Sequence, residues 1–154
     1  MAASYDFVQL DVFTGTPLAG NPLAVFTDAC GLTDKQMQAL DREMNLSETT
    51  FILAREPEIE ATSGKRVRIF TTREELPFAG HPTLGTALYL YSTTDTAPDE
   101  IVLDLNGGQI PFRFSAGSIR ARTTRAEGDV FGEMRALWLR LKAPQRNYDS
   151  HRQT

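Results

Sequence analysis

The sequence predicts an α+β fold in which a mixed sheet wraps around a helix. Short segments with alternating apolar and polar residues are typical of strands, and two other segments have apolar residues at helical spacing. These elements run in the order strands, helix, more strands, second helix and a closing set of hairpins. That order does not match the regular strand–helix alternation of a purely parallel fold.

The first half of the chain contains two strands, a helix and two more strands. Alternation predicts the first strand over Tyr5–Phe13, and a short apolar run predicts the second over Leu23–Thr27. Thr33 and Gln36 have the spacing of a capping box, so we expect a helix from about Asp34 to Met44. The next two strands are predicted at Thr49–Leu53 and Lys65–Thr71.

The second half begins with a turn rich in glycine and proline and continues as a helix. Helical spacing is evident from Thr83 to Tyr91, and Pro82 suits the first turn of that helix. A tight turn is predicted at Asn106-Gly107-Gly108. Strands are predicted on both sides of it and after it, at Ile101–Leu105, Ile110–Phe114 and Ser118–Thr123.

Composition excludes several classes of protein. The 154 residues are 41% hydrophobic and 23% charged with a formal net charge of −4, which is typical of a globular domain and disfavours a nucleic-acid partner. No apolar run is long enough to span a bilayer, and the single cysteine, Cys30, excludes an intramolecular disulfide, so we expect a cytoplasmic protein without a membrane partner. We predict one lobe over residues 1–135 and a divergent, disordered tail over 136–154.

A candidate acid/base residue lies between the first helix and the third strand. Glu48 is flanked in sequence by Leu46 and Phe51, and burial against them would raise the pKa of its carboxyl toward the range useful for proton transfer. A solvent-exposed or capping glutamate is the alternative that these residues leave open.

A candidate binding turn precedes the second helix. Gly80, His81, Pro82 and Thr83 lead into a helix N-terminus, where free backbone N–H groups attract a carboxylate or phosphate. A capped loop without a ligand is the alternative. Two histidines and one cysteine lie too far apart in sequence to indicate a metal site, and no cofactor-binding motif is present.

Four ordered blocks of sequence resemble the PhzF family of phenazine-biosynthesis isomerases. The blocks are Asp11-Val12-Phe13-Thr14 with Pro17 to Val25, Met44 to Phe51, Arg68-Ile69-Phe70-Thr71, and Glu75 to Ala87. The match extends from about Tyr5 to Phe114, with a weaker similarity over Val130–Arg135.

The resemblance implies one lobe of a diaminopimelate-epimerase-like fold, whose two lobes each wrap a mixed sheet around a central helix. It implies an isomerase that moves a proton within a dihydro-hydroxyanthranilate or related small carboxylate without a cofactor. The essential glutamate of the family falls on Glu48, expected to act as general base and then general acid. The cleft histidine falls on His81, and Gly80-His81 resembles the segment that holds substrate.

One departure from the family pattern concerns length. Family members carry a second lobe that supplies an aspartate and small residues to the cleft, and this sequence ends soon after Met134. We therefore expect a truncated or frame-shifted product that is active if a second lobe is supplied, for example by a homodimer. A catalytically inactive half-domain that binds small acids, or only dimerises, is the alternative.

Overall fold

The fold is seen in a computed structural model, which describes residues 3–14, 16, 18–96, 98–115, 118–121 and 139–141. Of residues 115, 118–121 and 139–141 only the backbone is described.

Strands and helices follow the predicted order, with additions. The strands are β1 (Phe7–Val12), β2 (Asn21–Phe26), β3 (Thr49–Leu53), β4 (Lys65–Phe70), β5 (Glu75–Leu76), β6 (Glu100–Leu105), β7 (Gly108–Ser115), β8 (Ser118–Ala121) and β9 (Leu139–Leu141). The helices are α1 (Asp34–Met44), α2 (Pro57–Ser63) and α3 (Gly80–Thr93).

The strands of the described part form one mixed sheet in the order β8-β7-β6-β4-β3-β2-β1-β9, and β5 pairs with β4. The pairs β2–β3 and β4–β6 are parallel, and the others are antiparallel. Helix α3 contacts β1, β2, β3 and β6, so the sheet curls around it. The predicted α+β fold with a mixed sheet around a central helix is confirmed.

Alternation along the strands separates two apolar clusters. Leu10, Val25 and Ile52 lie with α3 in the larger cluster, whereas Phe26 and Phe51 lie in a smaller cluster with residues of α1. Because successive side chains of a strand point to opposite faces, residues adjacent in sequence enter different clusters. The central helix and α1 therefore lie on opposite faces of the sheet.

Close packing of α3 on the sheet depends on a glycine. A Cβ atom at Gly85 would lie 2.5 Å from Leu23 Cδ2 and 2.9 Å from Val12 Cγ2. A second close approach fixes the segment that leads into α3, since the Gly107 amide donates to the Pro77 carbonyl at 2.8 Å and a Cβ at Gly107 would lie 2.8 Å from the same oxygen. Both contacts place the first turn of α3 relative to the strands.

Helix α1 agrees with the sequence prediction and α2 was missed. Thr33 and Gln36 form the reciprocal capping box, and α1 spans the predicted residues. Helix α2 has no buried residue, so it lacks the apolar spacing that reveals a helix in a sequence, and Pro57 at its start was the only signal.

The observed boundaries of two other elements differ from the predicted ones by a few residues. Helix α3 begins at Gly80 rather than Thr83, because the first helical residues need no intrahelical bond and tolerate glycine and proline. Strand β8 ends at Ala121, and the remaining residues of the predicted Ser118–Thr123 strand lie outside the described part.

The segment predicted as a tail, 136–154, contains β9. Its residues Leu139–Leu141 pair with β1 in antiparallel register. The other residues of that segment lie outside the described part, and the boundary at residue 135 stays a prediction.

Candidate active site

The structure brings together the two sequence segments that carry the candidate residues. Glu48 directly precedes β3, and His81 is the second residue of α3. Glu48 Oε2 lies 3.0 Å from His81 Nδ1, although 33 positions separate them in the chain. The His81 side chain is 8% exposed and that of Glu48 20% exposed, so the pair is mostly shielded and the carboxylate retains access to solvent.

The imidazole of His81 has one engaged nitrogen. When Glu48 is ionised, Nδ1–H donates to its Oε2, and in a neutral imidazole Nε2 then carries the lone pair. Nε2 is buried and has no hydrogen-bond partner among the described residues. The Phe13 ring lies beside the imidazole, with 6.3 Å between centroids. Phe13 is 47% exposed and has a φ of 67°, an uncommon conformation for a bulky residue.

The N-terminus of α3 has no side-chain cap. The N-cap residue is Ala79, which provides no side-chain cap, so the amides of Gly80 and His81 lack a capping acceptor within the described part of the chain. The first N–H groups of a helix have no intrahelical acceptor, and the helix dipole adds positive potential there. An anionic group is therefore favoured beside His81.

Pro82 and Thr83 are buried residues of the first turn of α3. The Thr83 hydroxyl donates to the Ala79 carbonyl. Pro82 contributes no amide hydrogen. Their predicted role in substrate contact stays a prediction, while the structure shows them as packing and hydrogen-bonding parts of the first turn.

A buried pair of hydroxyls ties the two segments together. The Thr86 hydroxyl donates to the Pro82 carbonyl at 2.7 Å, so it accepts the hydrogen of Thr50, whose oxygen lies 2.8 Å away. Thr50 is on β3, two residues after Glu48. The contact therefore fixes the strand that follows Glu48 against the helix turn that carries His81.

The expectation that Phe51 shields Glu48 is wrong. Phe51 packs with Phe26 and Phe70 in the α1-side cluster, whereas Glu48 reaches across to His81 on α3. Alternation along β3 is the physical reason, since residues an odd number of positions apart point to opposite faces.

Sequence reasoning missed a buried acid near the site. Asp41, in the last turn of α1, is fully buried. Burial raises the pKa of the Asp41 carboxyl; the nearby Thr49 hydroxyl opposes the rise, and the charge of Glu48 adds to it. The available signal was its position four residues after the buried Met37, on the apolar face of the helix.

The described residues contain neither a metal-binding cluster nor a membrane-spanning helix. No group of three or more His, Cys, Asp or Glu side chains there is arranged to hold a metal ion. No helix in that part of the chain is both long and apolar enough to cross a bilayer.

Comparison with known families gives the same assignment as the sequence blocks. The family model described as phenazine biosynthesis-like protein, PhzC-PhzF, matches residues 10–148. The chain belongs to the PhzC-PhzF family.

Several relatives of this PhzC-PhzF chain are named isomerases. It is 48% identical over 106 residues to trans-2,3-dihydro-3-hydroxyanthranilate isomerase of Pseudomonas aeruginosa, covering 69% of this chain and 36% of the relative. It is 41% identical over 119 residues to an uncharacterized isomerase of Pasteurella multocida, covering 77% of this chain and 40% of the relative. The chain thus spans less than half the length of these relatives.

Solved structures share the fold over part of their length. A predicted epimerase from P. aeruginosa superposes with a TM-score of 0.63 at 41% identity, covering 77% of this chain and 42% of the other. A PhzF-family protein of Enterococcus faecalis gives a TM-score of 0.66 at 27% identity, covering 76% and 43%. Most of this PhzC-PhzF chain therefore has the fold of these two structures.

Proposed function

We propose that this protein is a cofactor-independent isomerase that moves a proton within a small carboxylated metabolite such as trans-2,3-dihydro-3-hydroxyanthranilate. The observation that carries the proposal is the 3.0 Å contact between Glu48 and His81 at the uncapped N-terminus of α3. A carboxylate that exchanges a proton and a site that holds an anion lie side by side there.

Glu48 is the proposed acid/base. Its carboxylate takes a proton from one substrate carbon, the electron pair of the broken C–H bond stays on the substrate, and the same carboxyl returns the proton to another carbon. Substrate and product have the same atoms and oxidation level, so the step requires no redox partner. His81 holds Oε2 of Glu48 through Nδ1–H, which leaves Oε1 to face the substrate.

The α3 N-terminus is the proposed carboxylate-binding site. The amides of Gly80 and His81 have no side-chain cap, and an anionic group there interacts favourably with the helix dipole. Pro82 and Thr83 keep these amides in place through the packing and the hydrogen bond described above. The substrate carboxylate thereby orients the carbon skeleton toward Glu48.

The other wall of the site is proposed to come from a second polypeptide lobe, since the chain spans 36% of the relative named trans-2,3-dihydro-3-hydroxyanthranilate isomerase. A second copy of the chain is one source. Phe13, at 47% exposure beside His81, and Leu18, at 82% exposure on the same connection, offer apolar surface for such a homodimer.

Hydrogen exchange tests the proposal directly. The protein is incubated with trans-2,3-dihydro-3-hydroxyanthranilate in deuterated water, and deuterium at the substrate carbons is followed by NMR. We expect exchange with the wild type and an exchange rate lower by a factor of about 10² or more in Glu48→Gln. Glu43→Gln, an exposed glutamate on α1, is the matched control and should exchange like the wild type.

Two results would contradict this assignment. Undiminished exchange in Glu48→Gln would exclude Glu48 as the acid/base. Binding of the substrate without exchange in the wild type would favour the inactive half-domain instead.

A further inference from the structure

Asp41 contacts both ends of the connection that carries Glu48. Its backbone carbonyl accepts the Asn45 amide at 2.9 Å, which closes the C-terminus of α1. Its side chain lies next to the hydroxyl of Thr49, the first residue of β3. Glu48 is the last residue of the connection between these two points.

The surroundings of Asp41 do not support a charge. The residue is 0% exposed, and neither carboxylate oxygen has a hydrogen bond of normal geometry to any described residue; the Thr49 hydroxyl is close but likewise lacks a well-formed bond. A buried carboxylate without a cation or hydrogen-bond donors is strongly unfavourable, and such a group takes up a proton instead.

Charged groups near Asp41 do not reverse this conclusion. Glu48 disfavours a second negative charge, while Arg42 favours one from an exposed position where its Nε donates to the Thr72 carbonyl at 3.1 Å. Helix α1 packs on β3 and β4. The basic side chains of β4 are engaged elsewhere: Lys65 with Glu60, Arg66 with Asn106 and the Asp104 carbonyl, and Arg68 with Glu75 and Asp34.

We propose that Asp41 is a positioning residue that works in its uncharged form. Its carboxyl group packs against the side chain of Thr49 and so keeps Glu48, the preceding residue, in contact with His81. An uncharged Asp41 also places no second negative charge near the Glu48 carboxylate, with which such a charge would interact unfavourably. This role deepens the proposed function and rests on it, because the residue being positioned is the proposed acid/base.

Ionisation of Asp41 would disturb this arrangement. A second negative charge would appear near Glu48 and would interact unfavourably with it. The contact between Glu48 and His81 should then weaken at high pH. Asp41→Asn keeps a neutral side chain of the same shape at every pH and should not show the change.

Carboxyl NMR on the full chain tests this role. The ¹³C signal of the Asp41 carboxyl, assigned through the backbone and therefore without any variant, should titrate above the ordinary aspartate range. The ¹⁵N shift of His81 Nδ1 is then compared between wild type and Asp41→Asn across pH, so that pH effects common to the two proteins cancel. We expect the two proteins to agree below the Asp41 transition and to diverge through it. Asp95→Asn, at an exposed position, should follow the wild type throughout.

The result can go against the proposal in two ways, neither of which involves turnover. Titration of Asp41 within or below the ordinary range would show that it is charged at neutral pH. Agreement of the His81 signals across the Asp41 transition would show that Asp41 does not act on the Glu48–His81 contact. An inactive chain with a raised Asp41 transition would instead overturn the proposed isomerase and leave the positioning of Glu48 intact.

Discussion

The hydroxyl of Thr50 lies 2.8 Å from the hydroxyl of Thr86, and this buried contact joins the strand after Glu48 to the helix of His81. Thr86 in turn donates to the Pro82 carbonyl. The pair therefore links the two halves of the candidate site through hydrogen bonds that water does not reach.

Replacing Thr86 with valine tests this link. Thr86→Val keeps the shape of the side chain but leaves the Thr50 hydroxyl buried without its acceptor, so the free energy of unfolding should fall by about 1–3 kcal/mol. Thr93→Val, at an exposed position of the same helix, should change it by less than about 0.5 kcal/mol. Urea denaturation of both variants measures the difference, and equal effects would mean that the buried pair contributes little.

Gly85→Ala should destabilise the protein although alanine is the better helix former. The added Cβ would meet Leu23 and Val12 at less than 3 Å, and overpacking of this kind costs about 1–3 kcal/mol. The gain in helix propensity recovers at most about 1 kcal/mol. A higher thermal unfolding midpoint for Gly85→Ala than for the wild type would show that Leu23 and Val12 can move to accommodate the added Cβ.

Small carboxylates should bind at the N-terminus of α3. Titration with benzoate, followed by ¹H–¹⁵N NMR, should shift the amide signals of Gly80 and His81, whose N–H groups lack a side-chain cap. Glu48→Gln removes a negative charge beside this site and should tighten benzoate binding by a few fold, as expected for a partly screened charge pair. Shifts confined to other parts of the chain would argue against this anion site.

Glu75 should stabilise the fold in a pH-dependent way. The pKa of its carboxyl is held below the usual range chiefly by hydrogen bonds from Arg68, at 2.7 Å to each oxygen, while partial burial opposes the shift. A lowered pKa in the folded state means that the stabilisation is present above the unfolded-state pKa and is lost as the pH falls through the folded-state value.

Glu75→Gln should therefore lower the free energy of unfolding by about 1.5–3 kcal/mol at neutral pH, as for hydrogen bonds to charged groups. The difference from wild type should shrink in acid. Glu74→Gln, an exposed neighbour, should show neither effect. Denaturation at a series of pH values measures this, and a difference that grows toward acid would contradict a lowered pKa for Glu75 in the folded state.

Self-association should depend on the apolar connection beside the site. Light scattering after size exclusion should show a dimer that Leu18→Asp converts to monomer, because a charge at that 82% exposed position opposes apolar contact. Asp substitution at exposed Lys35 on α1 serves as the control and should leave the dimer intact. A wild-type monomer at every concentration would remove the homodimer from consideration.

The sequence alone determined those features that depend on neighbouring residues. The capping box of Thr33 and Gln36 predicted the start of α1, and alternation predicted β1 and β4. Both signals depend only on residues that are close together in the sequence. The blocks around Glu48 and His81 also identified the family. Helix α2 was not predicted, because none of its residues is buried and its sequence therefore has no apolar residues at helical spacing.

Only the tertiary structure decided which residues meet. Phe51 was expected beside Glu48 and lies on the other face of β3, while His81, 33 positions away, takes its place. Asp41 looks in sequence like an ordinary helix aspartate, and only its complete burial next to Thr49 gives it a role. The physical reason is that burial and charge interactions depend on distances in space, and the curling of the sheet around α3 sets those distances.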